Sequence, residues 1–96
     1  MNAYGKLTDE EALQFTIDSC KAQNSKIDKI LQVMGTEFLY AGLNKFKAEN
    51  DAIIRLCELL ICDLKCYGFR SKIVKDVIIN SNETIKAHTK IILEVL

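Results

Sequence analysis

Cysteine, histidine and one basic, aromatic-bearing window are the parts of this 96-residue chain whose side chains could do chemistry. Three of the four cysteines cluster at Cys57, Cys62 and Cys66. At helical spacing Cys62 and Cys66 stand one turn apart, so both could ligate a soft metal, with His88 as a third ligand from a neighbouring helix. Against this, structural zinc sites usually build on CxxC knuckles in loops, and Cys57 points away from the other two. The plainer reading makes all four cysteines, Cys20 included, reduced packing side chains, and the expectation is no cofactor and no resident metal. His88, the single histidine, falls on an apolar stripe. There, a satisfied core or rim histidine competes with a ligand or proton-transfer role.

Lys65, Arg70, Lys72 and Lys75 form a basic window with Tyr67 and Phe69 interleaved. Basic and aromatic residues together can touch a phosphate backbone or a stacked base, although a cation near a helix end also suits the helix dipole. Glycines at 5, 35, 42 and 68 match neither a GxGxxG turn nor a P-loop, and HExxH and GxSxG are missing. A non-enzyme is expected.

The elements that position these residues read as helices. Leu7-Thr8-Asp9-Glu10-Glu11 has capping-box spacing, with Thr8 and Glu11 able to exchange side-chain bonds to each other's backbone N–H. Leu13, Ile17, Cys20, Asn24, Ile27 and Leu31 then recur in steps of three and four. Gln23-Asn24-Ser25 offers a break, Asn24 being polar on an apolar stripe and Ser25 an acceptable cap. Helices are expected near 8–23 and 26–47, or as one long helix, with Gly35 tolerated inside. Asn50 or Asp51 can cap a third helix near 50–67 ending at Gly68, and Ser71 a fourth near 71–95, kinked or split at 80–82. Short connections make these antiparallel neighbours, so the expected fold is an all-α, antiparallel four-helix bundle in one domain, 1–96.

Thirteen Lys+Arg against thirteen Asp+Glu give zero formal charge, which weighs against a bulk polyanion as the main partner. The first eleven residues hold no apolar run suited to a signal peptide and no stretch approaches the roughly 20 residues of a membrane span. A cytoplasmic protein without a membrane span is expected. A chain this short gains little stability beyond its ordering cost, so burial against a partner or a second copy is a natural supplement.

The segments Ser25-Lys26-Ile27-Asp28-Lys29-Ile30-Leu31-Gln32 and Asp51-Ala52-Ile53-Ile54-Arg55-Leu56 resemble, with the chain's length and helix order, the pediocin-like bacteriocin immunity proteins. The cysteine cluster departs from that pattern. The resemblance implies a small cytosolic four-helix bundle that protects its producer by recognising a bacteriocin-bound membrane receptor, with specificity in the C-terminal half.

The functional expectation is a non-catalytic protein that binds another protein, or itself as a homodimer. The expected contact residues are Leu59, Cys62 and Cys66, lying beside Arg55 and Asp63, with Lys65, Phe69, Arg70, Lys72 and Lys75 at the following turn. The alternatives are a nucleic-acid accessory or regulatory protein using the basic 65–75 window and, third, a thiol- or metal-dependent switch.

Overall fold

The computed structural model describes residues 7–34, 37–67 and 72–95. It contains three helices: α1, Asp9–Met34; α2, Glu37–Tyr67; and α3, Lys72–Val95. The four-helix expectation is thus corrected to three, with no strand among the described residues. Residues 23–25 lie inside α1, residues 48–51 lie inside α2, and α3 continues through 80–82. The chain instead divides between Met34 and Glu37. Gly35, expected to be tolerated inside a helix, lies outside the described residues. The expected stop at Gly68 and cap at Ser71 lie outside the described residues.

The absent breaks have one physical cause. The cap candidates Ser25, Asn50 and Asp51 all lie within continuous helix, and at each expected break an asparagine, Asn24, Asn50 or Asn82, spends its side chain on a bond to another helix. The start of α1 follows the sequence closely. Thr8 N–H donates to Glu11 Oε1 at 3.0 Å and Glu11 N–H to Thr8 Oγ1 at 3.1 Å, a reciprocal capping box. The backbone bond from Thr8 lowers the Glu11 carboxyl below its ordinary range.

Cross-helix pairs give the directions. Along α1 and α2, Glu10 meets Lys65, Asn24 meets Asp51 and Asp28 meets Lys47, so one number falls as the other rises and the two helices are antiparallel. Thr16 meets Asn82 and Gln23 meets Thr89, so α3 runs parallel to α1. Helices α1 and α2 pair along their length, whereas α3 sits more lightly, chiefly on α1.

The apolar core comes in two parts. Ala12, Leu13, Ile17, Cys57, Val74 and Ile78 form one cluster, joined at its edge by Leu7, Ile53, Leu60 and Leu64. Ile27, Ile30, Leu43 and Ile92 form the other, with Leu31 and Phe46 against them. Between the two lies a layer of hydrogen-bonded polar side chains.

Candidate functional site

The polar layer draws on all three helices. Gln23 is buried on α1. Its Nε2 donates to the Ile85 carbonyl at 3.0 Å and to Thr89 Oγ1 at 3.0 Å. A carbonyl can only accept, which fixes the amide and leaves Gln23 Oε1 as the acceptor facing inward. That oxygen receives Asn50 Nδ2 from α2 at 2.9 Å and lies 3.0 Å from His88 Nδ1. Asn50 Nδ2 also donates to Asn24 Oδ1 at 2.9 Å, while Asn24 Nδ2 donates to Asp51 Oδ1 at 3.0 Å. The one cost left inside is Asn50 Oδ1, buried without a hydrogen-bond partner.

His88 is the hub. With Gln23 Oε1 an acceptor, Nδ1 must carry a proton; Nε2 then faces Glu49 Oε2 at 2.7 Å, a bond that requires one more proton on the ring or the carboxyl. Phe46 covers the ring face, with centroids 4.2 Å apart and planes inclined by 17°. Both nitrogens are therefore occupied within the bundle, which is the satisfied core histidine of the sequence reading. Of the other members, sequence reasoning flagged Asn24 as out of place on its stripe, offered Asn50 or Asp51 as a cap, and read Gln23 only as part of a helix break; no bond from Gln23 or Glu49 to His88 was foreseen.

The thiols split into two kinds. Cys20 and Cys57 are buried, and burial pushes their thiols up to about 12 and about 11. Cys62 and Cys66 are exposed on the outer side of α2, with sulfurs 4.0 Å apart, and the bond to Cys66 raises Cys62 above the usual thiol range. His88 is turned inward and the Cys62/Cys66 pair outward, so the three metal candidates are not brought together. Among the described residues, no group of three or more His, Cys, Asp or Glu side chains is placed to hold a metal ion.

The expected contact residues separate in the same way. Leu59 is 60% exposed and Leu56 43% exposed, and with Cys62 and Cys66 they make an outward strip on α2. Leu56 was not singled out by the sequence reading, although its spacing of three from Leu59 places it beside the strip. The strip borders an open groove of about 490 Å³ between α1 and α2, floored by Ile17 and Ile61 and edged by Lys21, Glu58 and Lys65. Lys65 Nζ lies 3.4 Å from Glu10 Oε1, so one cation of the basic window is engaged within the molecule. Lys72 and Lys75 are exposed at the start of α3, where the helix dipole does not favour cations. Phe69 and Arg70 lie outside the described residues. No helix among the described residues is long and apolar enough to cross a membrane.

The protein is thus a small all-helical chain whose geometry is compatible with protein–protein contacts. Compared with protein-family models, curated proteins and solved structures, it matches none.

Proposed function

We propose that this protein acts without catalysis, by binding another protein through the outer strip of α2. The observation that carries the reading is Leu59, more than half exposed on the same side as Leu56, Cys62 and Cys66. An isolated exposed leucine is ordinary on a protein surface; a leucine pair continuing into two thiols and an apolar-floored groove is what a partner's side chain can fill. The charged edge of Lys21, Glu58 and Lys65 then supplies a polar rim. The most specific version is an immunity or inhibitor role in the cytoplasm, which draws on the two resembling segments alone, since the four-helix order that the resemblance implied is replaced by three helices.

The test compares affinity capture from the native host by the wild-type protein, Leu59→Glu, and Lys72→Glu with Lys75→Glu. A protein retained by wild type and by the lysine variant but lost from Leu59→Glu supports the strip as the contact. Loss of a central apolar contact typically costs about 2 kcal/mol, or roughly 30-fold in affinity. Equal capture by all three overturns the reading, and a nucleic acid lost only from the lysine variant replaces it with the basic-window alternative.

A further inference from the structure

The outward face of α1 carries an arrangement that the α2 strip does not explain. Glu11, Phe15, Asp18, Ala22, Lys26, Lys29 and Val33 all fall on it, and all are exposed. Phe15 is 58% exposed and Val33 85%, large apolar groups at opposite ends of the face. The charges are sorted along it. Both acids lie N-terminal to Ala22 and both lysines C-terminal to it.

We propose that this face binds a second copy of the chain, α1 against α1 in antiparallel fashion about a two-fold axis at Ala22. In that arrangement residues equally far from Ala22 come level. Asp18, four before it, meets the level of the partner's Lys26, four after it; Phe15 meets the level of the partner's Lys29. The partner's Lys29 then falls between Glu11 and Asp18 in height, so the acidic half of each copy lies on the basic half of the other. A parallel pairing would instead set Asp18 on Asp18 and Lys26 on Lys26, which is repulsive. Ala22, flanked by Ser19 and Ser25, keeps the crossing point small enough for close approach of the two backbones.

A second observation agrees on where the large side chain goes. Next to Lys26 and Lys29, a groove of about 460 Å³ runs between α1 and α3, floored by Ile30, Ile85 and Ile92. The two-fold brings the partner's Phe15 to the level of Lys29, at the mouth of this groove. The contact is isologous, each copy giving one phenyl ring and receiving one. Residues 11–33 extend about 33 Å along the helix and a helix face is about 12 Å wide, so roughly 400 Å² is covered per copy. The total of about 800 Å² is below the roughly 1,200 Å² of a stable complex and belongs to the weak, transient class, so the dimer is populated only towards the upper end of the concentrations tested below.

Sedimentation equilibrium from 10 µM to 1 mM, with helicity checked for each variant, tests the pairing. Wild type is expected to shift from monomer to dimer across this range. Asp18→Lys alone, and Lys26→Glu with Lys29→Glu, should each weaken association at least tenfold, and the combination of all three should restore it. Phe15→Ser should weaken it without changing the charge pattern. A wild type that stays monomeric at 1 mM overturns the proposal, as does a dimer indifferent to Asp18→Lys and Phe15→Ser. Leu59→Glu is outside this face and leaves self-association unchanged if both readings hold; a dimer lost on Leu59→Glu but not on Asp18→Lys belongs to the α2 strip and overturns the α1 pairing.

Discussion

Cys20 and Cys57 behave as small apolar residues that happen to carry a proton, whereas Cys62 and Cys66 face water. A thiol-specific reagent at pH 8 is therefore expected to modify only Cys62 and Cys66 in the native protein and all four thiols in denaturant; modification of three or four in the native state would contradict the burial. The same contrast sets an alkaline limit. In the unfolded chain these thiols ionise near 9.0, while in the folded protein burial holds Cys57 to about 11 and Cys20 to about 12. The folded state then keeps protons that the unfolded state has released. This contribution to stability is complete below pH 9 and declines as pH rises towards 11 to 12, which urea midpoints at pH 8, 9.5 and 10.5 will register as a progressive fall, steeper than in Cys57→Ala. At this scale the sequence was informative wherever partners are close in the chain. The Thr8 and Glu11 capping box is three residues long and was legible in full. Gln23 and His88 stand 65 residues apart, and no local pattern announces a bond across that distance.

Helix type was legible because apolar spacing reports it directly; helix ends were not, because the same residue types serve two purposes. Asn24 and Asn50 suit a cap and suit an interhelical bond equally well, and only the position of the neighbouring helices decides between them. A glycine, for its part, can sit inside a helix at a cost of about 1 kcal/mol relative to alanine. Gly42 lies within α2, exposed, and a Cβ built on it meets nothing within 4 Å. Gly42→Ala should therefore stabilise the protein by about 1 kcal/mol, through the helix alone, and raise the melting temperature by about 4–8 °C. A calorimetric scan that shows no increase would mean that α2 is not helical at this position in solution. The α2 strip belongs to this scale too. Leu59, Cys62 and Cys66 were legible as an outward strip from the helical wheel, and Leu56 follows from the same spacing, while the groove beside the two thiols required the placement of α1.

Across the whole molecule the polar layer joins three helices that otherwise meet through separate apolar clusters. Gln23 is its most connected member, with four hydrogen bonds to α2 and α3. Gln23→Leu strands the buried His88 Nδ1 proton and loosens Asn50, and is expected to cost roughly 2–4 kcal/mol. Asn24→Ala, at a half-buried position where water can replace the lost partner, should cost about 1 kcal/mol. Denaturation curves for the two variants check the ordering; equal costs would mean that the layer is hydrated. The layer also has a consequence for how the helices are kept from sliding. Ile, Val and Leu contacts change little when a helix slips one turn, about 5.4 Å, along its neighbour. Hydrogen bonds do not share that tolerance. Moved by a turn, α3 would carry His88 away from both Gln23 and Glu49, and Thr89 away from Gln23, leaving buried donors and acceptors unmatched. Since α3 is the lightly seated helix, its longitudinal setting is fixed by a few polar atoms at mid-height, much as a pin fixes a rod that a smooth sleeve would let travel.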